Sequence, residues 1–175
     1  YQHRLSRDGS FLQTYLEILT EMNVSSDNMA TNILIDLVGM DTVNRTLKSF
    51  GFANTRLQRI MMDTDAVAAN AENISTPNEM ATLMAKIYRA EVVSPEARDQ
   101  IFEIMRKVSA DMRKAVPKSV GVASKPGGFW AVRCETGIIF LEKRPFALSV
   151  TSSYNGPDDK SPVESMTRLV FEHFE

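Results

Sequence analysis

A chain of 175 residues, 43% hydrophobic and 24% charged, suits one globular domain with a core of its own. Its net charge of −2, with Lys and Arg unclustered, excludes the electrostatic footprint of a nucleic-acid or anionic-membrane binder. Apolar runs such as Ile138-Ile139-Phe140-Leu141 are too short to span a bilayer, and a lone Cys134 excludes an internal disulfide or thiolate metal cage.

Phe11, Leu12, Tyr15, Leu16, Leu19 and Met22 recur at helical spacing and predict an amphipathic helix. Met29, Ile33, Leu34 and Leu37 predict a second, opened by Ser26-Asp27-Asn28. Gly39 and Gly51 sit where C-terminal caps belong and bracket a short helix begun at Asp41. Residues 51–75 lack sustained periodicity and hold Asn54, Asp63, Asp65, Asn70 and Asn73, a long connection of the kind that carries function in compact domains.

Thr76-Pro77-Asn78-Glu79 is a capping box with Pro at the first helical position, and Met80, Leu83, Met84, Ile87 and Tyr88 form the stripe behind it. Ser94-Pro95-Glu96 starts another helix with Ile101, Ile104, Met105 and Val108 inward. Ser161-Pro162-Val163-Glu164 starts the last, with Met166, Val170 and Phe174 inward. From Ser119 to Tyr154 the period switches to that of strands. Val120 and Val122 alternate, Val132 to Leu141 is a longer buried run, and Phe146, Leu148 and Val150 alternate after an Arg144-Pro145 turn. Short links between the three predict an antiparallel meander. His3 and His173 lie near opposite ends, so no two-histidine metal site is expected.

Taken alone, Ser26-Asp27-Asn28 reads as a helix N-cap, where Ser and Asp accept from free N–H groups. Lys125-Pro126-Gly127-Gly128 follows as a turn, 99 residues after Ser26 by Lys125. Context makes more of both. The stretch Met22-Asn23-Val24-Ser25-Ser26-Asp27-Asn28-Met29-Ala30-Thr31-Asn32-Ile33-Leu34 resembles the same region of class A β-lactamases. Residues 117–154 resemble their strand–Lys-x-Gly–strand–strand block, with Arg133 eight residues after Lys125, then Gly137-Ile138-Ile139-Phe140-Leu141 and Arg144-Pro145-Phe146. Met61-Met62-Asp63 and Glu72-Asn73-Ile74-Ser75-Thr76 look like a subgroup of these serine hydrolases. The resemblance runs in order over essentially the whole chain. The family is marked by Ser-x-x-Lys, Ser-Asp-Asn and Lys-Thr-Gly. Here the second is intact, the third carries Pro126 for Thr, and no serine has a lysine three residues later.

The resemblance implies roles position by position. Ser26 would relay a proton toward the departing nitrogen, a hydroxyl being donor and acceptor at once. Asn28 would donate to a substrate amide carbonyl, and Asp27 would orient the turn. Lys125 would attract the substrate carboxylate and raise the acidity of Ser26. Gly127 and Gly128 would line the substrate edge, the Gly128 N–H as second oxyanion donor. Arg133 would reinforce carboxylate binding, or stand as an exposed strand arginine.

Two departures bear on activity. Pro126 removes a hydroxyl and a backbone N–H from the anion site, while an edge strand tolerates proline. The loop also lacks the glutamate that β-lactamases use to activate the deacylating water. Met61 or Met62 falls near that place, and Asp63 is the nearest carboxylate, read as a structural loop residue ahead of a base.

The expectation is therefore an α+β, β-lactamase/transpeptidase-like fold, with a helical subdomain and a sheet packed by a C-terminal helix. Residues 1–116 would be mainly helical and 117–175 would supply three strands and that helix, together one incomplete domain. The nucleophile and two further N-terminal strands would lie outside this chain, which starts at Tyr1 with no visible signal peptide. The implied function is acyl-serine hydrolysis of a lactam, amide or ester carbonyl in the complete protein, without metal or cofactor, outside the cytoplasm. This chain alone would be inactive. Expected partners are a small lactam or peptide-like substrate, and either the missing N-terminal segment or a second copy at the sheet edge. A non-catalytic relative binding peptidoglycan-like carboxylated ligands, or an interaction module whose motifs are only caps, are the competing readings.

Overall fold

The computed structural model describes residues 10–129, 132–153 and 161–175, with side chains from residue 14 onward. Tyr1, His3 and Tyr154, and the inward orientation expected of Phe11 and Leu12, fall outside them. The chain forms two compact units, Tyr1–Ser75 and Thr76–Glu175. The change from helices to strands lies inside the second.

The first unit runs through α1 (Ser10–Thr20), one π-helical turn (Glu21–Ser25), α2 (Asn28–Val38), α3 (Met40–Ser49) and a loop holding α4 (Thr64–Ala68). Its buried centre is Ile18, Ala30 and Leu34, with Tyr15, Leu19, Met22 and Ile33 packed against them. The expected stripes are partly corrected. Leu16, Met29 and Leu37 are exposed, Met29 by 62%, because α1 and α2 meet through the small Ala30 and its neighbours one turn on. Gly39 and Gly51 end their helices at φ of 81° and 88°, a conformation that glycine takes without Cβ strain.

Residues 51–75 are an ordered loop held by side-chain amides. Asn44 donates to Leu57 O and accepts from Leu57 N, both at 2.8 Å. Asn73 accepts from Gln58 N and Arg59 N and donates to Arg59 O. Arg56 and Ile74 form a one-residue antiparallel bridge across the loop's neck. Such bonds satisfy the backbone groups that a loop without ladder partners leaves open.

The second unit contains α5 (Pro77–Tyr88), α6 (Pro95–Met105), α7 (Asp111–Ala115), strands β1 (Gly121–Phe129), β2 (Val132–Phe140) and β3 (Phe146–Ser152), and α8 (Pro162–Phe174). Thr76, Ser94 and Ser161 cap α5, α6 and α8 through the N–H groups of Glu79, Ala97 and Glu164, as the sequence predicts. The strands form the expected antiparallel meander in the order β1-β2-β3.

Both sheet faces are covered, so both sides of each strand are apolar at its centre. Val122 and Ile139 join Met112, Ala115, Val116, Val163 and Phe171 on the α7–α8 side. Ala123 and Ile138 join Met84, Phe102 and Met105 on the α5–α6 side. Burying an aliphatic side chain of this size stabilises by roughly 1.5–3 kcal/mol. On α8 the inward residues are Val163, Thr167 and Phe171, whereas Met166 is 48% exposed. Apolar residues surround that helix, so their spacing does not fix which face turns in; Phe174 still stacks on Phe146 at 5.0 Å.

Candidate functional site

Ser26-Asp27-Asn28 sits where α1 is stopped and α2 begins. The last turn of α1 widens to π spacing, and the N–H groups of Ser26 and Asp27 both donate to Glu21 O. Ser26 is thereby held at φ 52° and ψ 39°, a left-handed conformation costly for a residue with a Cβ. Asp27 returns to extended backbone and caps α2, its Oδ1 accepting from Ala30 N at 2.7 Å. The bend leaves Ser26 and Asn28 exposed while Ala30 is buried. One turn after Asn28, Asn32 donates to Met61 O at 3.1 Å and accepts from Met61 N at 2.7 Å. The helix that carries the triplet therefore also holds residue 61 of the loop.

Met61 is half-buried and Met62 exposed. Asp63 caps α4, its Oδ1 taken by Ala66 N at 2.9 Å. Glu72 pairs with Arg59 at 2.7 Å. Both carboxylates are engaged within the loop.

In the second unit Lys125, Gly127, Gly128 and Arg133 share the β1–β2 pair. Lys125 lies opposite Thr136, Gly127 opposite Cys134 and Gly128 opposite Arg133. Strand alternation puts Lys125, Gly127, Cys134 and Thr136 on one face and Pro126, Gly128, Arg133 and Glu135 on the other. Lys125 and Arg133 start on opposite faces, and among the described residues the far edge of β1 pairs with no other strand. That edge accommodates Pro126: β1 runs unbroken through it opposite Glu135. Burial pushes the Lys125 ammonium down from its usual range, and the nearby Cys134 opposes the shift. Lys125 Nζ donates to Pro126 O at 2.9 Å. A Cβ on Gly127 would stand 2.9 Å from Cys134 Sγ, so any side chain there would have to push the thiol aside. Arg133 is exposed, and its charge acts on Asp111 of α7. Burial raises the Asp111 carboxyl, but hydrogen bonds from Lys114 and Ser161, with the charges of Lys114 and Arg133, outweigh it and hold it low.

Ser26 and Asn28 thus gather in the first unit and the four β1–β2 residues in the second. Two residues to which the sequence assigned no role emerge beside them. Asn32 was legible only as part of the stretch Met22 to Leu34 that resembles the family. Glu135, 2% exposed, is hidden in a run read as apolar.

An α+β arrangement of this order, with its C-terminal helix on a three-stranded antiparallel sheet, has the β-lactamase/transpeptidase-like fold. The chain belongs to the β-lactamase enzyme family, whose pattern matches residues 7–174. It is 26% identical to Beta-lactamase AER-1 of Aeromonas hydrophila over 132 residues, 71% of this chain and 43% of that protein. Beta-lactamase of Rhodobacter capsulatus is 37% identical over 83 residues, 46% of this chain and 28% of that one. The chain thus spans less than half the length of either relative. Among solved structures, PBP-A superposes with a TM-score of 0.80 at 27% identity, covering 91% of this chain and 61% of that one. A PBP-A variant is known as an acyl-enzyme complex with penicillin G. TLA-3 extended-spectrum beta-lactamase, 23% identical with a TM-score of 0.80 over 91% of this chain and 64% of that one, shares the fold. Among the described residues no helix is long and apolar enough to cross a membrane.

Proposed function

We propose that the complete protein is an acyl-serine hydrolase of lactam, amide or ester carbonyls, working outside the cytoplasm, with its nucleophile supplied from beyond this chain. The carrying observation is the exposed, conformationally fixed Ser26-Asp27-Asn28 bend in a chain of the β-lactamase family. In this reading the Ser26 hydroxyl passes a proton to the leaving nitrogen, and Asn28 donates to the substrate's amide carbonyl. Lys125 attracts the carboxylate and favours loss of the Ser26 proton. The Gly128 N–H stabilises the oxyanion beside Gly127, and Arg133 meets the carboxylate over the β1 edge. The roles require Ser26, Asn28 and Lys125 to converge on one bound substrate, so a double-mutant cycle between Ser26→Ala and Lys125→Ala in the complete enzyme should be strongly non-additive. Additive losses would separate the two residues.

Deacylation is the slow step in this reading. Met61 supplies no base, Asp63 is committed to capping α4 and Glu72 to Arg59. A chromogenic cephalosporin, chosen because a PBP-A variant holds penicillin G as an acyl-enzyme, should give a stoichiometric burst and then slow turnover. Rapid steady-state hydrolysis would make Asp63 or Glu72 the base. With fluorescent penicillin on a denaturing gel, the complete protein should label and the 175-residue chain alone should not, since none of its serines has the activating lysine three residues on. Labelling of this chain by itself would reveal another nucleophile.

A second reading is favoured by Pro126 and by the absent loop glutamate: a non-catalytic relative that binds carboxylated, peptidoglycan-like ligands. It predicts reversible binding by the complete protein and no covalent adduct.

A further inference from the structure

We infer that Glu135 is a positioning residue for the Lys125–Gly128 edge: its carboxyl ties Ser124, the residue before Lys125, to the α7 backbone at Met112. Ser124 Oγ donates to Glu135 Oε1 at 2.6 Å, and Met112 N donates to Oε2 at 3.1 Å. All three residues are deeply buried, Ser124 at 1% and Met112 at 0% exposure. A carboxyl group is costly to bury, so its placement between these two donors calls for a reason beyond filling space.

The strand supplies one. β1 is an edge strand with β2 as its neighbour, and Pro126, which has no N–H to give, lies directly opposite Glu135. Among the described residues the segment that carries Lys125 is therefore restrained by a single neighbouring strand. The Glu135 carboxyl restrains it from the other face, through the residue preceding Lys125, and anchors it to a helix whose Met112 and Ala115 lie in the core. Lys125 itself projects to the opposite face. Glu135 thus acts on the height and register of the edge and touches no substrate.

This inference rests on the reading that Lys125 and Gly128 serve a substrate, yet its test needs no substrate. Cys134, the single cysteine, lies beside Glu135 in sequence and against Gly127, its Sγ 3.4 Å from Gly127 O. Its alkylation by iodoacetamide in the folded 175-residue chain, followed by mass spectrometry, reports opening of this edge.

Glu135→Leu should speed labelling about ten-fold, the change expected when the closed state loses about one buried hydrogen bond. Its melting temperature should fall as well, because leucine leaves the buried Ser124 hydroxyl and Met112 N–H without their acceptor. Ser124→Ala should also speed labelling, by less. Glu135→Gln should label like the wild type, since its amide can donate to Ser124 Oγ and accept from Met112 N–H. Val163→Ala, which weakens the same unit's core without touching the tie, should leave labelling unchanged under folding conditions. Unchanged labelling in both Glu135→Leu and Ser124→Ala would overturn the inference. So would Glu135→Gln labelling as fast as Glu135→Leu, or Val163→Ala matching them. An inactive complete protein would instead remove the catalytic reading and leave this result standing.

Discussion

At the scale of single residues, Ser26 carries strain that its surroundings impose. The two N–H groups donated to Glu21 O hold it left-handed. Glycine relieves that strain and alanine does not, and both remove the hydroxyl. Ser26→Gly should therefore be more stable than Ser26→Ala by about 1 kcal/mol in urea titrations. Equal midpoints would mean that the bend relaxes at no cost. Glu135 and Asp111 set opposite dependences on pH. Burial raises the Glu135 carboxyl above its ordinary 4.5 against the hydrogen bonds from Ser124 and Met112. Above pH 4.5 the unfolded chain loses a proton that the native chain keeps, so this contribution is full below 4.5 and is lost as pH rises through the folded value. Asp111, held below its ordinary 3.8, contributes above that pH and loses its share as pH falls through its folded value. Melting temperatures from pH 4 to pH 8 should shift progressively in favour of Glu135→Gln over the wild type as pH rises, because the amide does not titrate. Parallel curves would show Glu135 titrating as it does in the unfolded chain.

At the scale of elements, the loop of residues 51–75 is held by the side chains of Asn32, Asn44 and Asn73. Asn32 matters most to the candidate site because it fastens Met61 to the helix carrying Ser26 and Asn28. Asn32→Ala leaves both Met61 backbone groups without that partner, at a cost of about 2 kcal/mol. Hydrogen exchange should show a large loss of protection at the Met61 amide, while the amides of α2 keep theirs. Protection unchanged at Met61 would mean that another contact holds the loop. The same arrangement makes the loop hard to recognise from sequence: an asparagine that clamps backbone looks like one that merely suits a turn.

For the whole molecule, the sheet order β1-β2-β3 leaves β3 with an unpaired edge among the described residues, while Phe146, Leu148 and Val150 pack beneath it against the α7–α8 core. Such an edge is a template for another strand. The chain by itself should therefore self-associate. Sedimentation velocity over a wide concentration range should reveal the association, and Thr151→Pro on the exposed part of β3 should suppress it. A monomer at every concentration would show the edge to be protected.

By itself the sequence determined what depends on near neighbours in the chain. Thr76, Ser94 and Ser161 name their helix starts because a cap acts on an N–H three residues away. The alternation in β1 to β3 and their short links fix a meander because few other pairings are open to such strands. Ser26-Asp27-Asn28 and Lys125 to Gly128 pointed to the family only together with the stretches around them, Met22 to Leu34 and residues 117–154, read in order along the chain. Only the tertiary structure decided the rest. The five residues of α7 are too few to display a period, yet Met112 is central to the core. The inward face of α8 turned on which of its apolar sides met α7 and the sheet. Glu135 lay unremarked in the run Val132 to Leu141 until Ser124, on the neighbouring strand, and Met112, 23 residues away, closed around it. A buried polar group takes its meaning from partners brought together by folding, and no spacing along the chain encodes them.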